Sequence, residues 1–421
     1  MKADKSKHPC FNVEAKGKYG RVHLPVAPKC NIQCKYCNRK YDCINESRPG
    51  VTSTVLSPEQ ALEYVEKIKD KADYISTVGI AGPGDPFANA EETMKSLELI
   101  HERYPDLIFC LSTNGLGLYP YIEKIAELGV THVTITINAI DPEIGAKVYS
   151  WVRFKKRNLR GVEAAKALLE EQLKCVKKLK EVGLTVKINS IIIPGVNEEH
   201  IPEVAKKMSE MGADIMNCIP LLVTEDTAFA HLENPSEEMI SIVRDSAEEH
   251  LPMMKHCQRC RADAVGLLGC DDKELTCELT KVSMSKEWIK EDRPYVAVAT
   301  YEGLLVNQHL GEAGSFQIFG EKDGKFNTLE KRLAPPKGEG DDRWEKLSEI
   351  LSDCSVLLVS GVGPHPLEYF KKTPIEVVKT AGLIEDSLKS IYSGKPIKNV
   401  SSGDISACKM GCGGNAAGGC C

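Results

Sequence analysis

Apolar residues follow two alternating patterns along the first 250 positions. Short runs rich in β-branched residues cover 21–26, 74–80, 107–112, 131–137, 184–192 and 213–219. Their nearly unbroken apolar character is that of parallel strands covered on both faces. Stretches with helical periodicity separate them at 58–70, 91–103, 119–128, 161–182 and 198–210, with one more at 236–249. Ser57-Pro58-Glu59-Gln60 marks a helix start: Ser as N-cap, Pro at the first helical position, Gln closing a capping box. Six strands, each followed by a helix, predict an α/β layer built by right-handed crossovers. Six such units fall short of the eight that close a barrel, so the expected fold is an open, partial barrel over residues 21–250.

Beyond 250 the pattern changes. Residues 251–280 are rich in cysteine and glycine and read as a metal-folded loop; 281–294 read as a linker ending at Pro294. A second, smaller α/β domain is expected over 295–400, with strands at 295–300, 355–360 and 375–378 and helices at 343–351 and 383–391. Phe316–Phe319 and the run up to Asp323-Gly324 predict a hairpin there. Residues 1–20 read as an irregular arm and 401–421 as a flexible tail rich in glycine and cysteine.

A chain of 421 residues is long for one domain. Its 42% hydrophobic and 27% charged residues are ordinary for a soluble protein. A net charge of -6 makes no global case for nucleic acid or membrane as partner. The opening residues are polar, with no apolar run after them, so no export signal is expected, and no run is long enough to span a bilayer. Seventeen cysteines in such a chain argue for metal or redox chemistry in an oxygen-protected cytoplasm rather than disulfides. The basic run Arg153, Lys155, Lys156, Arg157 and Arg160 reads as a solvated face, or as an attraction for an anionic cluster.

The candidate chemistry begins at Cys30-Asn-Ile-Gln-Cys34-Lys-Tyr-Cys37. Three thiolates so closely spaced suit the corners of one iron–sulfur cube and leave its fourth iron open. A structural zinc site usually takes four closed ligands, so zinc fits less well; a plain electron-transfer cluster is the other alternative. With Tyr36 before the third cysteine, the motif resembles the radical S-adenosylmethionine (SAM) superfamily, in which SAM chelates the open iron. In barrels of this kind ligands collect at the carboxyl ends of the strands. There Gly82, Gly84 and Asp85 resemble the superfamily's glycine-rich segment, which receives the SAM amino group; an ordinary turn is the alternative. Asn138 and Asn189, at the ends of the fourth and fifth strands, suit ribose or the methionyl carboxylate, or else cap loops.

Further cysteines need an account. Cys257, Cys260 and Cys270 suit a second cluster, with Cys277 as a fourth ligand or bystander, or a four-cysteine zinc site. Cys10, His23 and Cys110 form a dispersed set that the strand order brings towards one mouth. In order, His8-Pro-Cys10-Phe, His23, the three-cysteine loop, Asn38-Arg-Lys, Asn45-Glu46-Ser-Arg48-Pro-Gly-Val and Cys257-x2-Cys260 resemble the NifB family of nitrogenase cofactor biosynthesis. Val306-Asn-Gln-His309-Leu-Gly311 and its surroundings resemble the dinitrogenase iron–molybdenum cofactor-binding (NifX-like) family.

The resemblance implies three [4Fe-4S] clusters and SAM. Cys30, Cys34 and Cys37 would hold the radical SAM cluster. Cys10, His23 and Cys110 would hold one substrate cluster, and Cys257, Cys260 and Cys270 the other. Glu46 and Arg48 would contact iron or SAM, and His309 the product. It implies methyl transfer from SAM to a cluster sulfide, then hydrogen abstraction, carbide insertion and fusion into an eight-iron precursor. It also implies iron–sulfur cluster donors, an electron donor and a downstream cofactor carrier or maturation protein as partners. A peptide maturase with relay clusters and a non-catalytic iron–sulfur carrier are the competing readings.

Overall fold

The computed structural model describes residues 4–45, 52, 54–257, 259–285, 288–336, 341–395 and 397. The chain forms two compact units, Met1–Ser283 and Met284–Cys421.

Six strands of the first unit, Gly20–His23, Ile75–Ile80, Ile108–Thr113, Val130–Thr136, Thr185–Ile192 and Ile215–Pro220, lie side by side in chain order. All five pairings between neighbours are parallel. Every residue of Val130–Thr136 is buried, which fits a central strand with both faces covered. The capping box forms as expected: Ser57 Oγ accepts from Gln60 N at 3.2 Å, and Gln60 Oε1 accepts from Ser57 N at 2.9 Å. Such a cap contributes about 1 kcal/mol to the helix Pro58–Lys71.

The sheet stays open. Its first strand is bordered instead by Val265–Leu267, antiparallel, and then by Cys270–Asp271. The segment expected as a metal-folded loop therefore carries the sheet's edge. It continues into a helix, Lys273–Ser283, that the disappearance of apolar periodicity had hidden. Tyr64 Oη donates to Leu275 O at 3.3 Å and Lys71 Nζ to Glu278 Oε1 at 2.8 Å, tying this helix to Pro58–Lys71. The expected linker thus starts inside a helix.

The run 142–160 keeps its five basic side chains exposed, as a solvated face does, and has a regular backbone as well. It forms the helix Pro142–Val148 and then the hairpin Tyr149–Phe154 and Arg157–Leu159. The hairpin pairs with a short strand, Ile32–Cys34, inside the three-cysteine loop.

The second unit has a five-stranded sheet in the order Lys325–Leu333, Ser315–Lys322, Tyr295–Val298, Cys354–Val359, Glu376–Lys379. Asp323 (φ 54°) and Gly324 (φ 73°) both sit in the left-handed region, as a two-residue hairpin turn requires. Phe316, Trp344, Leu357 and Phe370 pack one side of this sheet and Val296, Leu358 and Leu388 the other. Among the described residues no helix is long and apolar enough to cross a membrane.

Candidate active site

The loop after the first strand brings Cys30, Cys34 and Cys37 to a cavity of about 450 Å³, which Cys43 also lines. Gln33 holds the loop closed: its side-chain amide donates to Cys37 O at 2.7 Å and to Cys34 O at 3.1 Å. Burial pushes the Cys30 thiol up to about 11, with the nearby Asp85 adding to the effect. Burial and the neighbouring thiols also hold Cys34 and Cys43 well above the ordinary thiol value. Left alone these sulfurs stay protonated; a bound metal deprotonates a coordinating thiol outright. Arg39 sets its guanidinium against Cys30 and Cys37, a cation where thiolates would gather.

Tyr36 is almost fully buried beside this loop. Its hydroxyl donates to Asn45 Oδ1 at 2.6 Å and accepts from Asn138 Nδ2 at 2.9 Å. Asn138 Oδ1 accepts from Ile191 N at 2.8 Å, and Asn189 Nδ2 donates to Asn45 O at 2.7 Å. Both asparagines are buried behind the cavity lining and bind the cluster loop to the strand ends.

Gly84 and Asp85 do line the cavity; Gly82 does not. A Cβ on Gly84 would meet Lys29 O at 2.1 Å, so only glycine allows the bonds Gly84 N to Ala27 O (2.6 Å) and Asp85 N to Lys29 O (2.8 Å). The Asp85 carboxylate is spent on Thr113 Oγ1 (2.9 Å), Asn114 N (2.7 Å) and Phe87 N (2.9 Å). It is a joint between strands rather than an acid–base group. Asn114 Nδ2 in turn approaches Cys30 Sγ at 3.8 Å. Glu46 and Arg48 lie outside the described residues.

A second cavity, of about 600 Å³, is lined by Cys10, His23, Cys110, Cys257 and Cys260. Ala81 and Ser112 line both cavities, so the two adjoin at the carboxyl ends of the strands. His23 Nδ1 lies 2.9 Å from the Arg261 carbonyl. A carbonyl only accepts, so Nδ1 carries a proton; in the neutral imidazole the lone pair is then on Nε2, the arrangement found behind metal-bound imidazoles. Gly79 makes the space: a Cβ there would stand 2.9 Å from His23 Cδ2 and 3.2 Å from Cys110 Sγ.

The arm reaches this cavity through packing of rings. His8, Phe11 and His132 meet edge-on or tilted, with centroids 4.3–4.7 Å apart. Burial keeps His8 and His132 neutral, His132 with a pKa of about 3. Lys187 and Arg259 bring cations to the same lining.

Arg21 is 1% exposed and donates to Cys260 Sγ at 3.1 Å, Asp271 Oδ1 at 2.5 Å, Gly266 O at 2.8 Å and Leu267 O at 2.9 Å. Burial pushes the Cys260 thiol up and Arg21 offsets part of the rise. Cys270 is not brought to the cavity. It is exposed on the edge strand, where the carboxylate of its neighbour Asp271 reaches Arg21 and strand alternation turns Cys270 the other way. Cys277, on the helix Lys273–Ser283, does not line it either. Arg21 and Lys187 could have been noticed in the sequence, as charges inside apolar runs; Arg39 stands in the Asn38-Arg-Lys segment of the resemblance, which gave it no role.

In the second unit His309 packs on Gly361, where a Cβ would stand 2.6 Å from its Cδ2, and its Nδ1 accepts from Gly311 N at 3.1 Å. Among the described residues no three His, Cys, Asp or Glu side chains close around a single ion. The donors ring cavities instead, and soft thiolates with one imidazole suit iron–sulfur clusters.

Comparison with known proteins places the chain in a family. Residues 24–208 match the Radical SAM superfamily and residues 293–394 the family described as Dinitrogenase iron-molybdenum cofactor. The FeMo cofactor biosynthesis protein NifB of Chlorobaculum tepidum is 50% identical over 98% of both chains. That of Frankia alni is 38% identical over 91% of this chain and 87% of its own. That of Bradyrhizobium diazoefficiens is 39% identical over 88% and 83%. With its three-cysteine loop, its second ring of donors and this likeness along nearly its whole length, the chain belongs to the NifB family of radical SAM enzymes of FeMo cofactor biosynthesis.

Proposed function

We infer that this enzyme inserts a SAM-derived carbide while fusing two [4Fe-4S] clusters into an eight-iron precursor of the nitrogenase cofactor. The supporting observation is the pair of adjoining cavities, one ringed by Cys30, Cys34 and Cys37, the other by Cys10, His23, Cys110, Cys257 and Cys260. Five donors from separate parts of the chain exceed what one cluster needs, which favours two substrate clusters beside the place of SAM cleavage.

Cys30, Cys34 and Cys37 would hold the resident cluster, which when bound supplies the electron that cleaves SAM. The chain's own residues do the positioning. Gly84 keeps the glycine-rich backbone against the loop, and Arg39 offsets negative charge at Cys30 and Cys37. His23 offers a neutral nitrogen, a weaker and more releasable hold than thiolate, which suits a substrate that must move. Cys260 keeps its charge balanced by Arg21. Cluster donors, an electron donor and a downstream carrier or maturation protein complete the reading; the second unit's match supports a role in hand-over, with His309 as the contact.

Anaerobic incubation of the iron-loaded chain with SAM and dithionite tests it. Both S-adenosylhomocysteine and 5′-deoxyadenosine are expected. Absence of both would refute carbide insertion, and 5′-deoxyadenosine alone would point to a peptide maturase.

A further inference from the structure

We propose that the basic hairpin Tyr149–Leu159 is the docking surface for a small acidic redox protein, which delivers the electron consumed in SAM cleavage. This rests on the radical SAM reading above and adds a partner of defined chemistry to it. Charge is the first observation. Residues 153–166 hold six basic side chains and one acidic, Glu163, in a chain of net charge -6. Arg153, Lys155, Lys156, Arg157 and Arg160 are all exposed. Below the hairpin an open cavity of about 680 Å³ is lined by Lys155, Arg157 and Lys166 together with Glu163 and Glu170.

The turn is the second observation. Lys155 (φ 46°) and Lys156 (φ 65°) occupy the two left-handed positions of a two-residue hairpin turn. Asparagine and glycine fill such positions with least strain. Two lysines there cost backbone energy, and what they contribute in return is charge at the very tip.

Connection to the cluster loop is the third. Val152 pairs with Ile32, Trp151 with Gln33 and Tyr149 with Cys34. Arg153 N donates to Asn31 O at 2.8 Å, and Gln33 bonds the carbonyls of Cys34 and Cys37. From Phe154 to Tyr149 is about 17 Å at roughly 3.3 Å per strand residue. An acidic partner seated on the tip is thus joined to the three-cysteine loop by a hydrogen-bonded ladder. The partner's centre loses one electron; the C5′–S bond of SAM takes it up and breaks, leaving methionine and a deoxyadenosyl fragment that takes hydrogen from substrate.

The test measures binding of an oxidised, acidic bacterial ferredoxin to the iron-loaded full chain, and its reduced form as electron source. Lys155→Glu/Lys156→Glu should weaken binding and slow ferredoxin-driven SAM cleavage by about tenfold or more at low salt. The difference should vanish in roughly 1 M salt, where the Debye length is about 3 Å. Lys155→Asn/Lys156→Gly removes the charges while relaxing the turn, and should weaken binding in the same direction with no loss of folding. Dithionite-driven cleavage should be the same in all three proteins. Unchanged ferredoxin binding in both variants overturns the proposal. So does binding of labelled duplex DNA that depends on these lysines while ferredoxin-driven cleavage does not. Loss of dithionite-driven cleavage in the unaltered chain counts against the radical SAM reading instead.

Discussion

His23 owes its competence as a ligand to one carbonyl. The Arg261 oxygen at 2.9 Å accepts a hydrogen bond from Nδ1 and so favours the tautomer whose lone pair is on Nε2, a distinction no linear reading of a strand histidine can make. His23→Ala should lower iron content by about four of roughly twelve atoms in a three-cluster protein and leave dithionite-driven SAM cleavage intact; iron assay with EPR checks both. Unchanged iron would remove His23 from the ligand set. Arg21 shows the same dependence on context. Buried against Cys260 and Asp271, it cannot be shortened without stranding polar groups, although Asp271 is 31% exposed and keeps some water. Arg21→Met should cost about 2–3 kcal/mol, seen as a lower urea midpoint of the iron-free chain. Cys270, one residue from Asp271, carries the opposite lesson. Its spacing from Cys260 suggested a ligand, and strand alternation sends it elsewhere.

At the scale of elements, the six parallel strands matter for their ends. Gly79, on the second strand, faces His23 on the first and Cys110 on the third, because the register sets these three side by side. Gly79→Ala adds a methyl at 2.9 Å from the imidazole and 3.2 Å from the thiol. Overpacking of this kind costs about 1–3 kcal/mol, and the variant should fold yet bind less iron at the second cavity while the Cys30–Cys37 cluster's EPR signal persists. The strands, the main helices and the second unit's hairpin were legible because their signals are local: apolar period, capping chemistry and turn residues. The helix Lys273–Ser283 and the pairing of Ile32–Cys34 with Tyr149–Phe154 were not. Both depend on partners remote in the chain, the first on Pro58–Lys71 and the second on a hairpin more than a hundred residues away.

At the scale of the whole molecule, both cavities are built from residues of Met1–Ser283 alone. A chain ending after Ser283 should therefore still bind iron and form 5′-deoxyadenosine from SAM at a rate within about a factor of a few; loss of cleavage despite a folded, iron-loaded protein would give the second unit a part in the chemistry. The three-cysteine motif, the partial barrel and the family were readable in the linear chain, since each rests on spacing or on periodicity within a few tens of residues. Which donors meet was not. Cys10 and Cys260 stand 250 positions apart, and only the sheet's register, the His8–Phe11–His132 packing and the edge strand beside Arg21 bring them to one cavity. Local free energies decide elements, whereas convergence of side chains from distant segments is decided by how those elements pack.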